Sequence, residues 1–355
     1  MACATACTRV LAVIDIGTVS TRLALAEVGP SGSARMLERR STITNLGSGV
    51  DATGRLEAAA VERTVGTVRD YGAVLAGWAS RGVSAEHVAC TTTSAARDAA
   101  NAAELTDALR RLGLAPQVIA GQVEARLALL GVTADFPGMD VLVADSGGGS
   151  TELAEGLRDE AGLHAGRVVS LDIGCRRVTE RFLAPPAGVD ADAYVPAPAQ
   201  VAAARAFAAR TFAPFFAERE GSLTLVCVGG TATSLVAVAN HLVPYDSSFV
   251  HLHRMARAEV GELARELLAL SPARRRDLPG LQPKRADVIA AGALILDELL
   301  AAGGFDGYTC SESDSLAGLL ACARAAADGG SSPLGAGGWL PELADGAAFA
   351  AACAR

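Results

Sequence analysis

The chain is almost without lysine. Of its 31 basic residues 30 are arginine, and the one lysine is Lys284, in Gln282-Pro283-Lys284-Arg285. A Walker-type loop needs its own lysine inside a glycine-rich turn, so that class of nucleotide site is excluded. Lysine Schiff-base chemistry is excluded too, unless Lys284 carries it. C-x-x-C pairs are also missing. The eight cysteines (Cys3, Cys7, Cys90, Cys175, Cys227, Cys310, Cys322 and Cys353) are scattered along the chain. Their spacing does not predict a zinc site, and the plain expectation is reduced, mostly buried thiols in a cytoplasmic protein. The start, Met1 to Thr8, lacks a charged segment followed by a long apolar core, so no secretory signal is expected. The longest apolar stretch, Val288–Phe305, is cut by Asp297 and Glu298 and predicts no membrane span.

What is present points to a folded acidic enzyme-sized chain. Its 355 residues suggest two domains, and a hydrophobic share of 50% with 20% charged suffices for a sizeable core. A net charge of -8 argues against broad, sequence-independent binding of nucleic acid or anionic membrane.

Comparing the chain with itself reveals a repeat. Residues 15–24 read Asp-Ile-Gly-Thr-Val-Ser-Thr-Arg-Leu-Ala, and residues 145–154 read Asp-Ser-Gly-Gly-Gly-Ser-Thr-Glu-Leu-Ala. Six of ten positions are identical. Each copy follows an apolar run, Val10–Ile14 or Val141–Ala144, so each reads as strand, tight polar turn, strand. Two related lobes, each opening on the same hairpin, are the natural expectation.

The remainder alternates strands and helices, which predicts an α/β fold. Leu56–Ala79 carries Val61, Val65, Val68 and Leu75 at helical spacing. Helices are also expected at Ala99–Leu112, Gln122–Leu130, Val178–Leu183, Ala199–Glu218, Ala232–Asn240, Arg257–Leu270, Arg285–Ala301 and Asp314–Ala326. Strands are expected at Arg22–Glu27, Val88–Cys90, Gln117–Ala120, Glu152–Glu155, Arg167–Ser170 and Leu223–Val228. The Pro-rich stretch Ala184–Pro198 reads as a loop. Residues 328–355, rich in Gly, Ser and Pro with an apolar end, read as a mobile extension.

The two hairpin turns are the first candidates for chemistry. Gly17, Thr18 and Ser20, and Gly147, Gly148, Gly149 and Ser150, place small residues just after a strand. Backbone N–H groups there can face an anion such as phosphate. Each turn is headed by a carboxylate, Asp15 or Asp145, which would repel phosphate unless a divalent cation lies between them. The combination therefore points to Mg2+ and phosphate together; two ordinary hairpin turns are the simpler alternative. A third turn, Gly229-Gly230-Thr231, opens a predicted helix whose N-terminus favours an anion, or merely packs. Arg97 could clamp phosphate, or pair with Asp98. Glu124, near a helix start, could act as a general base, or simply complement the helix dipole.

Taken in order, these segments resemble the exopolyphosphatase / guanosine pentaphosphate phosphatase (Ppx/GppA) family. They are Asp15-Ile-Gly-Thr-Val-Ser-Thr-Arg22, Thr93-Ser-Ala-Ala-Arg97-Asp98-Ala-Ala-Asn101 and Ala120-Gly-Gln-Val-Glu124-Ala-Arg-Leu127. Asp145-Ser-Gly-Gly-Gly-Ser-Thr-Glu152-Leu153, Gly174-Cys-Arg-Arg-Val-Thr-Glu180 and Gly229-Gly-Thr-Ala-Thr233 follow, then Arg285-Ala-Asp287-Val-Ile and Ser311-Glu312. The resemblance spans residues 10–320 and implies two ribonuclease-H-like lobes of the actin and sugar-kinase superfamily with a cleft between them. It implies lobe I at 1–122 with the helix at 312–327 returning to it, lobe II at 123–311, and the tail beyond.

The same resemblance implies cleavage of terminal phosphoanhydride bonds of polyphosphate or guanosine pentaphosphate by a divalent metal and water. By position, Glu124 matches the catalytic base, Asp145 and Glu152 the metal-binding carboxylates, and Arg97 a phosphate-binding arginine. The turns at 17–20 and 147–150 match the phosphate loops, with Asp15 reaching the cation at one remove. Homodimers are common in the family. Departures are Val19 for a common Asn, Val123 for a frequent Glu, Asp172 for Pro, and His251 as the remaining His of a His-Gly segment. Val123 leaves one carboxylate fewer. A non-catalytic sensor of alarmone or polyphosphate, and an ATP-dependent kinase of the same superfamily, are the alternatives.

Overall fold

The structure is a computed structural model that describes residues 7–217, 223–335 and 338–354; Cys3 and the expected helix end at Glu218 lie outside them. The chain divides into two compact units. Unit 1 takes the chain up to Pro137, Arg158–Ala165, and everything from Ser315 on; unit 2 takes Gly138–Leu157 and Gly166–Asp314.

Unit 1 is a sheet covered on both faces. Its first strands are β1 (Arg9–Ile16), β2 (Ser20–Val28), β3 (Ala34–Ile43), β4 (His87–Thr92) and β5 (Pro116–Val118). They lie in the order β3-β2-β1-β4-β5, with β1, β2 and β3 antiparallel and β4 and β5 parallel to β1. The two-residue period of a strand sends alternate side chains to opposite faces. Ala12, Ile14 and Ile16 join one core with Leu75 and Leu105 of the helices Ala58–Ala79 and Ala102–Arg111. Leu11 and Val13 join the other, with Leu127, Leu130, Leu319 and Leu320. Burial on both faces explains why β1 reads as a continuous apolar run. The edge strand β3 carries Arg35, Glu38, Arg39 and Arg40, charges that discourage pairing with another chain.

Unit 2 repeats the plan. Its strands are β6 (Val141–Ser146), β7 (Thr151–Asp159), β8 (Gly162–Leu171), β9 (Thr224–Val228), β10 (Arg254–Ala256) and β11 (Gly307–Cys310), in the order β10-β11-β9-β6-β7-β8. As in unit 1, the first strand pairs antiparallel with the second and parallel with the fourth. β11 then adds parallel to β9, as β5 does to β4. The repeat read from ten residues is a repeat of topology.

Three expectations change. The boundary expected at 122/123 falls at 137/138, because the helix Gly121–Val132 packs Leu127 and Leu130 into the unit 1 core against Leu316, Leu319 and Leu320. Those leucines sit on the helix Ser315–Ala327, the segment expected to return to lobe I. Gly318 lets these helices touch: a Cβ there would sit 2.0 Å from the Leu127 carbonyl oxygen. The second change concerns the end of the chain, expected to be mobile. Strand β12 (Leu343–Asp345) pairs antiparallel with β4, and the helix Gly346–Cys353 follows, capped by Asp345. Phe349 is fully buried, and Gly72 gives room for Cys353, whose Sγ would lie 2.4 Å from any Cβ at that position. Apolar residues spaced along a Gly-rich stretch were enough to dock it. Third, the helix expected over 178–183 is a short α-turn, Cys175–Val178, widening into a π-turn, Thr179–Leu183. No helix among the described residues is long and apolar enough to cross a membrane.

Candidate active site

In unit 1 the first turn closes with the Gly17 N–H on the Ser20 carbonyl, 2.9 Å. Asp15, at the end of β1, faces Arg22 across the β1–β2 pair. Arg22 Nη2 donates to Asp15 Oδ2 at 2.5 Å and to the Ser315 hydroxyl at 2.8 Å. The Thr91 hydroxyl on β4 donates to Asp15 Oδ1 at 2.9 Å. Both carboxylate oxygens, expected to bear on a cation, are thus engaged by the protein. Thr18 is buried and Ser20 partly so, and the Thr18 carbonyl receives the Gly47 N–H.

Unit 1 also brings Arg97 and Glu124 together. Arg97 lies in the last turn of the short helix Ser94–Asp98 that follows β4, and Glu124 lies in the first turn of Gly121–Val132 after β5. Arg97 Nη1 donates to Glu124 Oε2 at 2.7 Å and to the Ile119 carbonyl at 3.0 Å. Both side chains are largely shielded, at 20% and 14% exposure. Arg97 therefore pairs with the expected base, and the Asp98 carboxylate takes the Ser94 hydroxyl at 3.5 Å.

In unit 2 the same hairpin recurs, with the Gly147 N–H on the Ser150 carbonyl at 3.0 Å. The residue facing Asp145 is Glu152, so two buried carboxylates stand opposite one another on paired strands. Cβ atoms of such facing residues lie about 4.5–5.5 Å apart. The Ser170 hydroxyl donates to Glu152 Oε1 at 2.7 Å. Gly229, with φ +86°, leaves space beside Asp145: a Cβ there would lie 2.7 Å from Oδ1. Paired hard oxygen donors with a cleared approach suit a cation such as Mg2+. Thr231 is buried near the start of the helix Gly229–Ala239.

The loop Gly147-Gly148-Gly149 is fixed from outside. Cys175 and Arg176 N–H groups donate to the Gly147 and Gly148 carbonyls at 3.0 and 2.8 Å, and Arg177 Nε donates to the Gly149 carbonyl at 2.7 Å. Gly174 has no room for a side chain, since a Cβ would meet Gly148 at 2.4 Å. Arg285 was not given a role from sequence. Its guanidinium covers Gly230, where a Cβ would fall 2.0 Å from Nη1, so it belongs to the third turn. Arg22 was likewise unassigned. The signal was available: in the ten-residue repeat it occupies the place of Glu152. At the third turn Tyr245 donates to Glu312, and burial first, then that carboxylate, push the Tyr245 pKa up.

Two units on one plan, each opening on an Asp-headed Gly/Ser turn, define the two-lobed α/β class of actin-like phosphoryl-transfer folds. Within that class the chain belongs to the Ppx/GppA phosphatase family, whose profile matches residues 26–302. It is 35% identical to Exopolyphosphatase 2 of Mycobacterium tuberculosis over 331 residues, covering 88% of this chain and 98% of that one. Among solved structures it is similar to an exopolyphosphatase-like protein, with TM-score 0.78, 31% identity, and coverage of 88% of this chain and 97% of the other. It is also similar to the Aquifex aeolicus Ppx/GppA family member, with TM-score 0.70, 29% identity, and coverage of 89% and 97%.

Proposed function

We propose that the chain hydrolyses the terminal phosphoanhydride bond of inorganic polyphosphate, and the same bond of guanosine pentaphosphate, by metal-assisted attack of water. The observation that carries this reading is the buried pair Asp145 and Glu152 at the root of a Gly/Ser turn. These two carboxylates would hold a divalent cation such as Mg2+. When bound, the cation supplies positive charge for the phosphate oxygens as the bond breaks. The chain's own groups do the rest. Glu124 accepts a proton from the attacking water and directs it. Arg97 binds phosphate and, until it does, holds Glu124 in place through the 2.7 Å bond. The turns at Gly17, Thr18 and Ser20, at Gly147–Ser150, and at Gly229, Gly230 and Thr231 present N–H and hydroxyl donors to substrate oxygens. Asp15 acts through Arg22, whose guanidinium it orients.

The test is phosphate release by the purified chain from long polyphosphate and from guanosine pentaphosphate, with Mg2+ and with a chelator. Release that needs the cation is expected, and Glu124→Gln should lose roughly 10²–10⁴-fold in kcat while still folding, with a lower Tm because Arg97 loses the Glu124 counter-charge. Tight ligand binding without turnover at any divalent cation would overturn the proposal. Wild-type turnover by Glu124→Gln would remove Glu124 as the base.

A further inference from the structure

The segment that hangs on the Gly147-Gly148-Gly149 loop also walls a cavity of about 210 Å³ in unit 2. Leu183, Pro185, Pro196, Pro272, Ala290 and Ala291 give it apolar surface. Its polar lining is unequal in one respect. The carboxylates have cationic partners: Asp192 and Asp287 lie 2.6 and 3.3 Å from Arg276 Nη2, and Glu180 lies 3.8 Å from Arg176 Nε. Tyr194 donates to Gln200. Arg275 is different. It is 3% exposed, and its Nε and Nη1 donate only to the Leu267 and Ala286 carbonyls, at 2.7 and 3.1 Å. No carboxylate of the described residues comes within 4.0 Å of its guanidinium. Burial lowers the Arg275 pKa to about 10, offset in part by the Asp287 carboxylate.

A buried guanidinium that no carboxylate contacts is costly, and an anion entering from the cavity lowers that cost. We propose that this cavity binds a small organic monocarboxylate, its carboxylate on Arg275 and its apolar body against Pro185, Pro272 and Ala291. The neighbouring Glu180, Asp192 and Asp287 face arginines yet repel a multiply charged phosphate more than a single charge, so a monoanion is favoured. The occupant touches Arg176 and Thr179 on the segment that bonds the Gly147 and Gly148 carbonyls. It thereby steadies that loop, and its effect on phosphate release falls on KM more than on kcat. That last step rests on the proposed role of the loop, whereas binding itself does not.

The experiment is calorimetric titration of the full chain with acetate, butyrate, benzoate and orthophosphate. Butyrate and benzoate should saturate one site per chain and bind more tightly than acetate. Ala191→Trp, which fills the cavity from its exposed rim, should weaken them by at least about tenfold. Arg275→Met should abolish binding; if that variant does not fold, Ala191→Trp decides alone. Absence of saturable carboxylate binding, or butyrate and benzoate binding unchanged in Ala191→Trp, overturns the proposal. So does orthophosphate displacing benzoate as tightly as benzoate binds. Failure of phosphate release with intact benzoate binding would sink the catalytic reading and leave this site standing.

Discussion

Across the first hairpin Asp15 faces Arg22; across the second, at the same register, Asp145 faces Glu152. The parallel neighbour differs as well. β4 sets Thr91 beside Asp15, where its hydroxyl bonds the carboxylate, and β9 sets Val228, which has no hydroxyl, beside Asp145. Even Cys90 and Cys227 correspond, each one register step before the aspartate. One backbone frame thus carries two electrostatic states. Unit 1 balances its carboxylate with a guanidinium, while unit 2 concentrates two carboxylates in a buried place. Paired buried acids repel, and on the function proposed above a bound cation would relieve that repulsion. The two hairpins therefore share the turn and differ in the one facing residue.

The contrast gives a graded set of expected outcomes. Glu152→Gln should lower kcat for phosphate release by roughly 10²–10³-fold, while Tm without cation stays level or rises, because a like-charge pair is relieved. Arg22→Gln should do the opposite. It leaves the Asp15 carboxylate buried without its guanidinium and should cost about 3 kcal/mol in urea unfolding, with a smaller loss of turnover. If Glu152→Gln destabilises as much as Arg22→Gln, the division of roles between the hairpins fails. Thr91→Val, which copies Val228 into unit 1, should cost about 1–2 kcal/mol in the same unfolding measurement. Ser170→Ala removes the hydroxyl on Glu152 and should weaken Mg2+ about tenfold in a titration of activity.

The smallest effect concerns the matched cysteines. Burial raises the pKa of both thiols, helped at Cys90 by the Asp15 carboxylate and at Cys227 by Cys310 and then by the Asp145 carboxylate. Both stay protonated and shielded as pH rises through the usual thiol range. Neither should react with a thiol reagent at pH 8 in the native protein, and mass spectrometry after labelling checks it. Fast labelling of one alone would show that the two frames are not packed alike.

Much of the fold was legible because it is written in local signals. Apolar runs marked β1 and β6, and the Asp-x-Gly turns marked the hairpins. The ten-residue match alone predicts two related units. Less legible was anything set by distant packing. β3 is polar and half exposed, so no apolar alternation betrays it. The division at 137/138 depends on which core accepts Leu127 and Leu130, which periodicity does not reveal. The docked chain end depends on Gly72, far away in sequence. At the site, residue types predicted candidates but not partners. Arg97 had two options on paper, and only the geometry reveals its bond to Glu124. Arg285 could be placed only once its guanidinium was found over Gly230.

β12 and the helix after it give unit 1 an unusual dependence on time. Strands β1 to β5 are made first on the ribosome, yet one face of their sheet needs Leu319 and Leu320, and β4 waits for residues 343–345. Unit 2, drawn mainly from the middle of the chain, can be complete while unit 1 still lacks these parts. Nascent domains usually settle in the order of their synthesis; here unit 1 begins before unit 2 and is completed after it. During that interval Phe349 and Cys353 have not yet covered Gly72, and a ribosome stalled before residue 343 would carry a half-built sheet. Chaperone capture of unit 1 should therefore be set by the delay between synthesis of β5 and synthesis of residues 315–353.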